Sequence, residues 1–269
     1  MSPTRIGPAD DPAPRAVEFG RARVLITNDD GIDAEGLRVL ERLVAPAVGE
    51  LWVIAPDAGR SANSMMMSLR RDVAIEGRGE RRFAISGSPA DCVLIALQHL
   101  MVEAPPDLVL SGVNHGANLG DDLNFSGTVG AAAAAAVDGV PAIALSVGHG
   151  AEGHAGGHDF RQVEARGLDL IHRLCAAGFA PGGLFAVNFP DAPDDPDAPA
   201  LIRPAGRQGR GFSLEASGPD RLRVRHHGDR GVDVGVCDYD AVRRGRIAVT
   251  PVTVDRTDHR VLRRLGETV

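Results

Sequence analysis

Short apolar runs alternate with stretches of helical periodicity from residue 22 to residue 190, and few folds accommodate that alternation. Residues 24–27 (VLIT), 51–55 (LWVIA), 108–110, 142–146 (AIALS) and 184–187 read as strands buried on both faces. After the first of them, Leu37, Leu40, Val44 and Val48 recur at spacings of three and four, one face of a helix over 34–48. Ser88-Pro89-Ala90-Asp91 opens a second helix, with Ser as cap, Pro in the first position and an acid three residues after the cap. An alanine helix starts at Ser126 or Thr128 and runs to about 138, and a further helix covers 162–177. Residues 73–76 and 82–86 read as paired strands. Apolar strands linked by helices form βαβ units, so the expected class is α/β: a doubly wound, mostly parallel sheet covered on both faces.

The ends read differently. Residues 1–21 carry prolines and acids without an apolar run and are expected to form a flexible tail before a core over 22–190. Residues 191–199 (DAPDDPDAP) read as a linker. Beyond it, alternation in 221–226, 232–236 and 247–254 predicts an antiparallel C-terminal β extension within 191–269, ending in a short helix near 258–265.

Composition removes several chemistries. All 29 Lys+Arg residues are arginine, so no P-loop lysine, Schiff base or kinase-type phosphate lysine is available. A net charge of −7 argues against a protein that grips nucleic-acid backbone. Cys92, Cys175 and Cys237 are odd in number and far apart, which suits a reducing compartment better than a disulfide framework. With no targeting pattern and no long apolar span, a cytoplasmic protein without membrane partners is expected.

Three polar loops each follow a predicted strand: Asn28-Asp29-Asp30-Gly31, residues 57–63, and residues 112–128. In a doubly wound sheet such loops share one edge, where ligands bind. Asp29 and Asp30, in a turn released by Gly31, can face one ion, and a divalent cation relieves their mutual repulsion. With Ser and Asn as the neighbouring donors, an oxygen-only set favours Mg²⁺, Mn²⁺ or Ca²⁺ over zinc. The same Asp-Asp-Gly also reads as plain turn chemistry. In the third loop, glycines admit backbone N–H groups to an anion, and Ser126-Gly127-Thr128 sits where a helix begins, a ready phosphate site. His115 in that loop, the His154/His158 pair, His226-His227 and the run Arg203, Arg207, Arg210 read as solvated side chains rather than ligands.

Five segments, taken in order, carry a resemblance: TNDDGIDAEG (27–36), APDAGRSANS (55–64), SGSPADCV (86–93), SGVNHGANLGDDLNFSGTV (111–129) and TPVTVDRT (250–257). Together they resemble the SurE family of stationary-phase survival nucleotidases. The resemblance implies a metal-dependent phosphomonoesterase acting on nucleoside 5′-monophosphates, often also 3′-monophosphates and short polyphosphate. It implies a Rossmann-like core whose C-terminal extension assembles a homodimer or homotetramer. One divalent ion per subunit, Mg²⁺ or Mn²⁺, is implied at Asp29, Asp30, Ser61 and Asn114. The phosphate is implied at Asn118, Ser126, Gly127 and Thr128, with Asp29, Asp30 and Asn118 as the catalytic residues.

Two other readings stand beside it. A haloacid-dehalogenase-like phosphatase also has acids after its first strand, but needs an Asp nucleophile where Asn28 stands here. A non-catalytic metal or nucleotide sensor would share the fold and release no phosphate. A Rossmann dehydrogenase fails because the first turn is not G-x-G-x-x-G.

Overall fold

Alternation within one strand sets the layering. In β1 (Arg23–Thr27), Val24 and Ile26 enter one apolar layer and Leu25 the opposite one, as the two-residue period of a strand requires. The computed structural model describes residues 13–148, 159–191, 193, 195–207, 212–226 and 236–265. After β1 come α1 (Glu35–Val44), β2 (Glu50–Pro56), β3 (Ile75–Gly79), β4 (Arg82–Ile85), α2 (Pro89–Ile95) and β5 (Leu108–His115). Then follow α3 (Gly127–Val137), β6 (Ala142–Val147), α4 (Arg161–Ala177), β7 (Gly183–Phe189) and β8 (Leu201–Ile202). The chain continues through β9 (Phe212–Gly218), β10 (Arg221–His226), α5 (Asp238–Arg243), β11 (Ala248–Thr253) and α6 (His259–Leu265).

Among the described residues nine strands form one sheet in the order β3-β4-β2-β1-β5-β6-β7-β11-β8. β4, β2, β1, β5, β6 and β7 run parallel to one another. Taken in chain order, those six lie as third, second, first, fourth, fifth and sixth, which is the doubly wound Rossmann-like arrangement. Strand order reverses between β1 and β5. Leu37, Leu40 and Val44 of α1 share one core with Val163 and Ile171 of α4, and Val93 of α2 shares the other with Ala131, Ala132 and Ala135 of α3.

Several boundaries differ from the sequence reading. α1 stops at Val44, and a 3₁₀ turn over Ala45–Ala47 replaces the expected last helical turn. Pro46 accounts for this, since it has no N–H to continue the α-helical hydrogen-bond ladder and is tolerated in the first turn of the new 3₁₀ segment. The expected tail over 1–21 is anchored from Arg15 onward: Arg15 bridges Phe179, and Val17 and Phe19 are buried in the core. The strand expected in 247–254 is not part of a separate extension, because β11 pairs antiparallel with β7 inside the main sheet. What stands apart is the two-stranded hairpin β9–β10. Residues 232–235 of the expected strand over 232–236, with His154, His158, Arg210 and His227, lie outside the described residues.

The α2 start forms as its sequence predicts. The Ser88 hydroxyl accepts from Asp91 N at 3.1 Å, while the Asp91 carboxylate accepts from Ser88 N at 2.7 Å, a reciprocal capping box. Asp91 also accepts from the Ser68 N–H and hydroxyl, anchoring the end of the long loop after β2. Burial pushes this carboxyl up, but the Ser68 and Ser88 donors outweigh it and hold it below the ordinary carboxylate value. Its contribution is therefore full above the unfolded pKa of about 4 and lost as pH falls through the lower folded value. Asp91→Ala is expected to cost about 1–2 kcal/mol in urea unfolding at pH 7, the scale of a lost cap, and less at pH 3. An equal cost at both values would contradict this account.

Candidate active site

The strand-order reversal puts the loops after β1 and β5 side by side, and Thr27 pairs with Ser111 at the carboxyl ends. The turn after β1 is closed by Asn28, whose amide accepts from Gly31 N at 3.1 Å and donates to Gly31 O at 3.0 Å. Gly31 sits at φ +106°, and an added Cβ would meet the Ala58 backbone at 3.2 Å. The turn thus needs glycine, and it directs Asp29 and Asp30 past the sheet edge. Asn28 stands where a haloacid-dehalogenase-like enzyme would carry its nucleophile, yet it is buried and closed on the turn.

The loop after β2 meets this turn through its backbone. Arg60 N donates to Asp29 O at 2.6 Å, while the Arg60 guanidinium pairs with Asp57 at 2.9 Å. Ser61 follows directly and is exposed. The same loop is seated on α3, since a Cβ on Gly130 would fall 2.0 Å from Ser64 O. From the other side, His115 N donates to Asp30 Oδ2 at 3.4 Å. Asn114 is half-buried, and its amide nitrogen is spent on Gly116 O at 2.8 Å, which leaves its oxygen as the atom able to act as a ligand. Three loops from distant parts of the sequence therefore converge on Asp29 and Asp30.

The start of α3 completes the arrangement. Ser126 is its N-cap, accepting from Val129 N at 3.1 Å, and its own hydroxyl hydrogen remains available. Thr128 differs: it is fully buried and its hydroxyl donates to Asp29 Oδ1 at 2.5 Å. A hydroxyl has one hydrogen, so Thr128 fixes Asp29 rather than donating to a phosphate in this conformation. Gly127 lies against the same carboxylate, with space for no Cβ: one would stand 2.7 Å from Asp29 Oδ2. Asn118, earlier in the loop that leads into α3, is buried. It exchanges hydrogen bonds with Asn188 (2.8 and 2.9 Å) and gives one amide hydrogen to Ser146 Oγ at 2.8 Å, which ties the loop to β6 and β7.

Burial lifts the Asp29 carboxyl to about 6; the Asp30 charge adds to the rise, and the Thr128 hydroxyl and Gly127 N–H oppose it. Two acids at a sheet edge, one of them buried, are a place for a cation.

The survival protein SurE family model matches residues 24–209 of this chain. The chain belongs to the SurE family. Proteins named 5′-nucleotidase SurE from Rhodospirillum rubrum and 5′-nucleotidase SurE 1 from Burkholderia lata are 38% and 42% identical to it. Each alignment covers 90% of this chain, and 94% and 95% of those proteins respectively. The crystal structure of SurE protein from Aquifex aeolicus matches with a TM-score of 0.77 at 25% identity, covering 90% of this chain and 98% of that one.

Within this SurE chain the donor set fits a hard divalent ion. Among the described residues no group of three or more His, Cys, Asp or Glu side chains is placed to hold a metal. An ion at the loop junction would therefore rest on two carboxylates and neutral oxygens, the chemistry of Mg²⁺ or Mn²⁺ rather than zinc.

One contributor was not legible in the sequence. Asp238, at the start of α5, is fully buried and accepts from Gly120 N and Gly206 N at 2.7 Å and from Tyr239 N at 2.9 Å. The Tyr239 hydroxyl donates to Leu119 O at 2.8 Å. A segment beyond the SurE match thus clamps the loop that carries Asn118 and leads into Ser126. Burial raises the Asp238 carboxyl, and its three N–H donors oppose that rise. The one available signal is an acid at a helix start, which is too common to read. Asp238→Asn leaves three N–H groups facing one oxygen and an NH₂ group. It is expected to destabilise the fold by about 1–3 kcal/mol in urea unfolding. An unchanged midpoint would show that the clamp is unimportant.

Proposed function

We propose that this chain is a divalent-metal-dependent 5′-nucleotidase that hydrolyses nucleoside 5′-monophosphates to nucleoside and phosphate. The observation that carries this reading is Asp29: its carboxylate is shared between the acid turn after β1 and the Thr128 hydroxyl at the α3 start. This contact supports a reading in which the proposed cation site adjoins the proposed anion site, the combination phosphoryl transfer needs. The names of relatives aligned over nine-tenths of the chain support the reaction. Nucleoside 3′-monophosphates and short polyphosphate present the same terminal phosphate and are proposed as further substrates.

Asp29, Asp30, Ser61 and Asn114 would hold one Mg²⁺ or Mn²⁺ per subunit, which when bound supplies Lewis-acid polarisation of a phosphate oxygen and of water. Thr128 keeps Asp29 oriented. Ser126 offers its hydroxyl hydrogen, and with the Gly127 N–H turned to Asp29 and Val129 N to Ser126 Oγ, the Thr128 N–H is the first-turn group of α3 assigned beside it as a donor for phosphate oxygens. Asn118 keeps a second amide hydrogen beyond the one it gives to Ser146, and the same anion is proposed as its acceptor. As water attacks in line with the departing nucleoside oxygen, one of the two carboxylates accepts its proton.

A negative chain points to small substrates rather than a nucleic-acid polymer. No described helix is long and apolar enough to cross a membrane. A homodimer or homotetramer is proposed from the β9–β10 hairpin, where Leu214, Leu222 and Val224 are each about two-thirds exposed. The test is phosphate release from a panel of nucleoside 5′- and 3′-monophosphates and short polyphosphate, with Mg²⁺ or Mn²⁺ present. Release is expected first from the 5′-monophosphates. Tight nucleotide binding with no release would instead establish the sensor.

A further inference from the structure

Aromatic side chains are scarce here, at 4% of residues, and the described ones are mostly buried. Phe19, Phe160, Phe179, Phe189 and Tyr239 are each 5% exposed or less. Phe125 and Phe212 depart from this pattern, at 49% and 41% exposed, and they alone are exposed among the described Phe, Trp and Tyr side chains. They come from segments far apart in the chain, yet they touch, with ring centroids 5.1 Å apart in an edge-to-face arrangement. The His226 ring lies 5.0 Å from Phe212 on the paired strand, and its Nε2 is 3.0 Å from Asp122 Oδ1. The root of the β9–β10 hairpin is thus pinned to the loop that leads into α3.

The location decides what these rings can do. Phe125 is the residue immediately before Ser126, the cap of the helix start to which the phosphate is assigned. Asn124 beside it accepts from the Ser64 hydroxyl at 2.8 Å, so the loop carrying Ser61 borders the same rim. Exposed aromatic faces cost hydrophobic free energy unless something covers them, and a nucleotide held by its phosphate projects a planar aromatic base away from that point.

We propose that Phe125 and Phe212 form the nucleobase platform of this enzyme, on which the base stacks while α3 holds the phosphate. The proposal rests on the nucleotidase reading above. The platform makes the enzyme favour phosphate esters that carry a base, and it tolerates different bases because stacking uses a face that every base has. Leu214 and Val224, the next pair on the same face of the hairpin, continue this apolar surface beyond the rings, where contact between subunits is proposed.

The test compares KM for a nucleoside 5′-monophosphate and for ribose 5-phosphate, the same ester without a base, in wild type, Phe125→Ala, Phe212→Ala and Phe125→Trp. Alanine at either position is expected to raise KM for the nucleotide about tenfold, the scale of one stacked base, and Trp to restore it. The rise is confined to the substrate with a base, and kcat changes little. An unmoved nucleotide KM overturns the platform. So does an equal rise with both substrates, which would make the rings supports for the loop, or a rise that follows loss of assembly in light scattering, which would make a second copy their occupant. Wild-type protein that releases phosphate from neither ester overturns the nucleotidase reading itself, and the platform with it.

Discussion

Asp30→Asn is expected to lower metal-supported phosphate release by about 10²–10³-fold or more while the protein stays folded, the scale of losing one electrostatic group at a reacting phosphate. The structure separates the two effects. Asp30 is half-buried and, among the described residues, accepts a long 3.4 Å bond from His115 N, which an asparagine oxygen can also accept. Its charge, meanwhile, adds to the rise of the buried Asp29 carboxyl. Removing that charge relieves repulsion, so urea unfolding should show stability unchanged or slightly higher. Near-normal turnover in this variant would remove Asp30 from the site. A collapse in stability would show that the acid turn is structural.

Gly127→Ala tests the other half of the junction, and here helix propensity points the wrong way. Alanine in a helix is favoured over glycine by about 1 kcal/mol, so the substitution would stabilise α3 if nothing stood beside it. Asp29 stands beside it: the new Cβ would lie 2.7 Å from Oδ2 and 2.8 Å from the Asp29 Cβ. The carboxylate cannot swing aside without losing the 2.5 Å bond from Thr128. Turnover is expected to fall about 100-fold, the cost of displacing a catalytic group by roughly an ångström. The thermal midpoint should not rise. A more stable variant with full activity would contradict the tight seating of Asp29 on α3.

Much of this architecture was legible because it rests on local, repeated signals. The strand runs at 24–27, 51–55 and 142–146 sit inside β1, β2 and β6. The Ser88 capping box is as written in the sequence. The doubly wound order then follows from how βαβ units pack, which is why loops over a hundred residues apart were expected on one edge. Other features were hidden for physical reasons. β5 runs to His115, beyond the expected 110, because Ser111-Gly112 interrupts its apolar run and its pairing with β6 shifts register between Ser111 and Asn114. β11 shows the alternation of any half-exposed strand, and nothing in that pattern says which sheet it joins. Val17 and Phe19 are two apolar residues amid prolines and acids, too few to form a periodic signal, yet both are buried.

The site residues divide in the same way. Asp29 and Asp30 announce themselves as adjacent acids before a glycine. The pairing of Thr128 with Asp29 spans 99 residues and is a tertiary fact. Asp238 belongs to none of the motifs; only the buried carboxylate receiving Gly120 and Gly206 shows what it does.

The central claim is that Asp29 and Asp30, with neutral oxygens from Ser61 and Asn114, form an oxygen-only cation site that the reaction requires. The direct measurement is phosphate release from a nucleoside 5′-monophosphate after exhaustive chelation, followed by titration of Mg²⁺ or Mn²⁺ into the same sample. The account predicts that release falls to background on chelation and returns with either ion, saturating near one ion per subunit. Undiminished release from the chelated protein would contradict it.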